Sequence, residues 1–254
     1  MGEGFVETEY GRVHYVDHGA GPTLLLAHSG GTSLHEFDDN VERLAGNRRV
    51  IVWDLIGHGD SAPHTRHLSV HDHARAAIAL LDQLGVQRTS VAGCSIGGTL
   101  AVELGASFSE RVDKAIIIDT QLRPQQWWAD NWDWIESMFA ELVQPFDTVA
   151  PRFRELTPEL FHRWNVDRQK AGVHSMVDIL WAVRDYDLVE AMSRLAVPAM
   201  AVLGADGPSI DCLEEFRRLL PGGRVEVLPG CGHFPMIDDP RTFEALLTGF
   251  LEEV

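Results

Sequence analysis

Residues 89–106 read TSVAGCSIGGTLAVELGA, and their order decides how the rest of the chain is read. Thr89 to Ala92 alternates and carries a β-branched residue of the kind strands favour, Gly93-Cys94-Ser95-Ile96-Gly97 spells G-x-S-x-G, and small apolar residues follow at helical spacing. Strand, sharp turn and helix in that order put Ser95 in strained backbone at a helix N-terminus. Glycines two before and two after it let strand and helix pass closely. A glycine-rich turn around a buried serine would carry the same five letters, so the surrounding chain must decide.

A chain of 254 residues suits one α/β domain with an insertion. Although 45% of the residues are hydrophobic, no apolar run reaches membrane-spanning length, and the opening MGEGFVETEYGR lacks the basic and apolar regions of a secretion signal. The expectation is a cytoplasmic protein that does not engage membranes. Cys94, Cys212 and Cys231 are too few and too scattered for a disulfide framework and have no zinc-like spacing, which predicts free thiols and no metal. The net charge of -17 argues against nucleic acid and mildly against acidic ligands. A small, neutral, hydrophobic molecule is the expected partner, and no cofactor is called for. Whether the chain is a monomer or a dimer stays open.

In chain order, residues 5–28 read as a short opening strand, a strand from Arg12 to Val16 and a strand from Thr23 to Ala27, with Gly19-Ala20-Gly21-Pro22 turning between the last two. A hairpin thus opens the sheet. The loop His28-Ser29-Gly30-Gly31-Thr32-Ser33 has unobstructed backbone N–H groups and precedes a helix over about 34–44. Arg49 to Trp53 is a buried strand, Val70 to Leu84 a helix closed by Gly85, and Val112 to Ile118 a buried strand ending in Asp119-Thr120. Strand and helix alternate, which predicts a parallel sheet.

From Gln121 to about Met192 the pattern turns helical and holds six of the seven tryptophans. We expect most of them to pack this insertion on the main domain and one or two, Trp181 and Trp128, to face a pocket. The winding resumes with a strand over 197–203, a helix over 210–220, a strand over 224–228 and a closing helix over 241–253. The domain reading is therefore 1–120 with 193–254 as core and 121–192 as a helical cap.

His233 follows the last strand on a loop, at the sheet edge where α/β proteins bind ligands. It is placed to act as general base towards Ser95. His14, His18, His64, His67, His71, His73, His162 and His174 read as surface or cap residues, His58 as a turn residue held by hydrogen bonds, and His28 and His35 as neighbours of the donor loop.

Taken together, G-x-S-x-G at 93–97, the donor loop, Gly57-His58-Gly59-Asp60-Ser61, the helical insertion and Gly232-His233 resemble the α/β-hydrolase superfamily over essentially the whole chain. The resemblance implies an eight-stranded, mostly parallel sheet flanked by helices, with a cap after the sixth strand. It also implies Ser95 as nucleophile, His233 as base and the N–H groups of Gly30 and Ile96 as oxyanion hole. The acid has two candidates. Many members carry it three residues after a glycine at the end of the seventh strand, where this chain has Gly207, leaving Asp206 one residue early. Asp119 stands at the position other members use, and as a strand-end residue beside the elbow it is the preferred choice.

Within the superfamily, Gly93-Cys94-Ser95, Gly204-Ala205 with Pro208, Leu228-Pro229-Gly230 and His233-Phe234-Pro235 resemble the fungal zearalenone lactone hydrolases, whose pocket tryptophan falls at Trp181. Ser29-Gly30-Gly31-Thr32 resembles the donor loop of 3-oxoadipate enol-lactonases. These resemblances imply a serine hydrolase acting on an ester or lactone of a hydrophobic, aromatic or macrocyclic molecule, with Ser29, Gly31, Trp128 and Trp181 against the substrate. C–C bond hydrolases and cofactor-free dioxygenases of the same fold are the alternatives; the dioxygenases usually flank the elbow serine with histidines, where this chain has Cys94 and Ile96. A non-catalytic binding protein is a further alternative, since fold alone does not prove activity.

Overall fold

Short apolar runs bounded by turn residues become the strands. In the computed structural model, which describes residues 2–220 and 222–253, β1 (Gly2–Thr8) and β2 (Gly11–Gly19) form an antiparallel hairpin. After β3 (Thr23–Ala27) the chain makes a 3₁₀ turn at Leu34–Phe37 and helix α1 (Asp38–Leu44), then enters β4 (Arg49–Trp53). β4 lies between β2 and β3, antiparallel to the first and parallel to the second. The turn at 19–22 therefore joins two strands that do not pair.

Regular winding follows through α2 (Val70–Gln83), β5 (Thr89–Cys94), α3 (Ile96–Ser107) and β6 (Val112–Ile118). A helical segment comes next: α4 (Gln125–Ala140), the short α5 (Phe146–Val149), α6 (Pro158–Asp185) and α7 (Leu188–Ser193). The chain closes with β7 (Ala199–Gly204), α8 (Leu213–Leu219), β8 (Arg224–Leu228), α9 (Pro235–Asp238) and α10 (Pro240–Glu252). The sheet has eight strands in the order β1-β2-β4-β3-β5-β6-β7-β8, parallel from β4 onwards.

Alternate strand residues point to opposite faces, and each face carries its own core. Leu24, Leu26, Val50, Val52, Ile116 and Ile118 pack against Phe37, Val41, Phe243 and Leu247 on one side. Leu25, Ile51, Trp53 and Val91 meet Ala77, Leu80 and Leu100 on the other. Burial on both faces explains why these strands are almost continuously apolar.

His14, His64 and His73 are buried, not at the surface. The His14 ring bonds the Asp54 carboxylate at 2.7 Å, His64 bonds the Arg66 carbonyl, and His73 lies on the inner face of α2. Irregular sequence spacing conceals such burial, because each ring is covered by a segment distant in the chain. The three cysteines are buried free thiols. Among the described residues no helix is long and apolar enough to cross a membrane, and no cluster of metal-binding side chains occurs.

Candidate active site

Ser95 joins β5 to α3 with φ 55° and ψ -114°, a conformation that side-chain-bearing residues rarely adopt. Its neighbours explain how it is held. A methyl group on Gly93 would run into the Gly97 carbonyl, and one on Gly97 into the Ala27 carbonyl, so strand and helix approach this closely only through glycine. The Ser95 N–H donates to the Ile118 carbonyl at 2.8 Å, tying the elbow to the end of β6.

At that strand end stands Asp119, fully buried, with φ 36°. Its N–H donates to the Val202 carbonyl, and its Oδ2 lies 2.6 Å from His233 Nδ1. Burial raises the Asp119 pKa from its ordinary value, opposed by the bond to His233. The two non-glycine residues with positive φ among those described are Ser95, which shares the cavity wall with His233, and Asp119, which bonds its Nδ1. Such outliers persist only where the surroundings over-determine them, and they cluster at functional sites.

His233 sits on the loop after β8. Its N–H donates to the Arg152 carbonyl at 2.7 Å, which ties it to the helical segment. Next to it, Phe234 is buried against Phe153 at 4.8 Å and Trp164 at 6.0 Å. His233 and Ser95 line one cavity, with no hydrogen bond between Ser95 Oγ and the ring among the described residues. Catalytic hydrogen bonds of this kind are often long until substrate binds.

Asp206 lies elsewhere in that cavity wall, its N–H donated to the Cys231 carbonyl. Gly207 rests on the Asp119 carboxylate: a Cβ there would stand 2.7 Å from Oδ2. The loop after β7 thus leaves no space for a side chain at 207.

The donor loop lies against the elbow. Gly30 and Ile96 share the cavity wall, and neither N–H has an intramolecular acceptor among the described residues. A Cβ at Gly30 would meet the tip of the Ile96 side chain, which would have to turn aside to make room for it. Beneath the loop, buried Glu36 accepts from the Ser29 N–H at 3.0 Å, Ser29 Oγ at 3.2 Å and Thr32 Oγ1 at 2.7 Å. Burial pushes its pKa up to about 7, against those three donors. His28 is structural, its Nε2 accepting the Leu55 N–H and its Nδ1 bonding the Ser29 carbonyl. His35 is exposed and pairs with Asp38.

The cavity holds about 370 Å³ and is mainly apolar. Ser29 and Trp128 line it; Gly31 does not, being turned with φ 80° towards Met176 and Arg168. Trp181 is also misplaced by the sequence reading. It lies on the outer face of α6, 37% exposed, tilted against Trp132 with the Arg184 guanidinium over its ring, while its neighbours Leu180 and Val183 face inwards. A step of one residue on a helix turns the side chain by about 100°. Four tryptophans reach the cavity instead of one or two: Trp127, Trp128, Trp134 and Trp164. The wall residues 127/128, 134/135 and 138/139 recur on one face of α4. That stripe was the available signal. Arg152, Arg168, Gln121 and Gln144 also line the cavity, and nothing in the local sequence marks them.

The family model for the alpha/beta hydrolase fold matches residues 22–240. The chain is similar to 3-oxoadipate enol-lactonase 2 of Acinetobacter baylyi, 25% identical over 192 residues that cover 74% of this chain and 72% of that protein. It is also similar to the putative carbamate hydrolase RutD of Pseudomonas savastanoi pv. phaseolicola, 23% identical, covering 94% of this chain and 97% of the relative. The crystal structure of the enol-lactonase from Burkholderia xenovorans LB400 superposes with a TM-score of 0.85 at 20% identity, over 98% of this chain and 100% of that one.

Proposed function

The chain belongs to the alpha/beta hydrolase fold family and is a hydrolase, and from that premise we propose that it cleaves an ester or lactone through an acyl-enzyme on Ser95. The observation that carries this reading is that Ser95 and Asp119 both sit in strained backbone, with Asp119 on Nδ1 of His233 and Ser95 in the same cavity wall as that ring.

In this mechanism His233 Nε2 takes the Ser95 Oγ proton as the oxygen bonds to the substrate carbonyl carbon. Asp119 accepts from Nδ1–H, fixing the tautomer and stabilising the imidazolium as it forms. The N–H groups of Gly30 and Ile96 receive the negative charge on the carbonyl oxygen, and the positive end of α3 adds to their effect. The imidazolium returns its proton to the departing alcohol, which in a lactone remains tethered to the acyl group. A water deprotonated by His233 then attacks the acyl carbon, releasing the acid and restoring Ser95. No metal or cofactor enters these steps.

The segment 121–192 serves as a cap over the site, and its tryptophans favour a substrate with an apolar, aromatic or macrocyclic body. The names of the enol-lactonase relatives support a lactone. Ser95→Ala tests the reading on a panel of aryl esters and lactones. Hydrolysis should fall by at least about a thousand-fold with Tm preserved, and near-full activity of that variant would remove the covalent mechanism.

A further inference from the structure

Two arginines in the cavity wall lack an anionic partner. Arg168 on α6 is 2% exposed, yet its contacts are main-chain carbonyls: Nε donates to Glu141, and Nη2 to Met138, Phe139 and Glu141. Its Nη1 has no acceptor among the described residues and lies next to the donor loop, 3.2 Å from where a Cβ of Gly31 would stand. Arg152 is half-buried, donating to the Thr148 carbonyl and resting 3.3 Å from the Met138 sulfur. Both guanidinium groups lie against Trp164, at 5.3 and 5.7 Å from its ring centroid.

Neither forms an ion pair with a carboxylate among the described residues. Glu141 influences Arg168 but is itself exposed, and Asp206 is the acidic side chain in the cavity wall. Burial lowers the pKa of both arginines; the adjacent Arg152 charge lowers that of Arg168 further, to about 10. Both stay charged at neutral pH. Two like charges held together away from bulk water are unfavourable until an anion joins them.

We propose that Arg152 and Arg168 form a subsite for a carboxylate on the substrate, distinct from the carbonyl that Ser95 attacks. The planar guanidinium donors match a carboxylate, and the proximity of Arg168 Nη1 to the donor loop sets the two groups only a few bonds apart. The substrate is then an amphiphile, with its apolar part on the tryptophans and its charge on the arginines. The net charge of -17 does not oppose this, because an anion inside the cavity meets the local pair before the distant surface.

The proposal takes the cavity as the substrate site, as the proposed function does, and the test separates the two. Monomethyl glutarate, adipate and suberate are compared as substrates with the same esters carrying a primary amide for the carboxylate. Independently, calorimetry compares binding of 4-phenylbutanoate with 4-phenylbutanamide. We expect the carboxylate to be favoured at least about ten-fold in kcat/KM and in affinity, the size of a charge-assisted hydrogen bond. The ratio should fall towards one in Arg152→Gln, which keeps the main-chain bond to His233, and recover in part in Arg152→Lys. Tm reports folding, and Arg168→Gln is the harsher second variant.

Ser95-dependent hydrolysis with equal rates and equal binding for both forms would overturn the carboxylate subsite and leave the hydrolase reading intact. Carboxylate-selective binding that is lost in Arg152→Gln, without ester turnover, would establish the subsite and remove the reading. A neutral macrocyclic lactone turned over in preference, with no carboxylate advantage in binding, would also overturn it.

Discussion

Asp119 and Asp206 differ in what holds them. Asp119 ends a buried strand, in positive φ, with Oδ2 on His233; Asp206 lies in a loop and touches neither ring nitrogen. Asp119→Asn should therefore lower kcat on the order of 10⁴-fold, as for the serine-protease example of the same exchange, and Asp206→Asn by only a few-fold. Steady-state kinetics on one aryl ester ranks the two, and the reverse order would move the acid to Asp206. Glu36 makes a second prediction. Its folded pKa of about 7 exceeds its ordinary 4.5, so the folded state binds more protons over that interval. Its contribution to stability is complete below about pH 4.5 and is lost as the pH rises through 7, a change of ~3 kcal/mol. Glu36→Gln, which resembles the protonated acid, should remove that part of the pH dependence of Tm; identical slopes in both proteins would show that Glu36 does not titrate in this range. Ser95, His233 and Asp119 were legible because strand ends and glycine-bounded turns mark them. Glu36, Arg152 and Arg168 were not, since their surroundings are assembled from segments far apart in the chain.

At the scale of elements, α6 is two helices joined at Gly172, whose φ 72° and ψ 161° are open essentially to glycine. Arg168 lies before this break, and Leu180 and Val183 after it, all three on the cavity wall. Gly172→Ala has space for its methyl group but not the backbone conformation, so it should cost ~1–3 kcal/mol, read as a lower Tm. An unchanged Tm would mean that α6 runs straight there at no expense. In α4, Trp128 faces the cavity while Trp181 of α6 faces out. Trp128→Ala should reduce kcat/KM for a bulky aryl ester more than for an acetyl ester, and Trp181→Ala should not discriminate between them. The helical character of residues 121–192 was readable from periodicity, and the stripe along α4 marks its inward face, but the outward turn of Trp181 was not readable, because the break at Gly172 resets the phase of α6.

For the molecule as a whole, alternation of strand and helix was enough to predict a parallel sheet, and the eight-stranded order follows it from β4 onwards. The pairing of β2 with β4 was beyond local reading, because a turn at 19–22 fits both a hairpin and a strand that steps over its neighbour. Whole-chain charge likewise concealed the positive patch in the cavity. The cofactor-free dioxygenase alternative makes a demand on the complete reaction: it consumes O₂ and its essential pair is His with Asp. Hydrolysis should proceed unchanged under anaerobic conditions. The central claim, a covalent intermediate on Ser95, is tested most directly by quenching turnover of a 4-nitrophenyl ester in acid and measuring the intact and peptide masses. The account predicts one acyl group added to the peptide carrying Gly93-Cys94-Ser95-Ile96-Gly97, absent in Ser95→Ala. An unmodified chain during steady turnover, with Ser95→Ala still hydrolysing the ester at a similar rate, would contradict it.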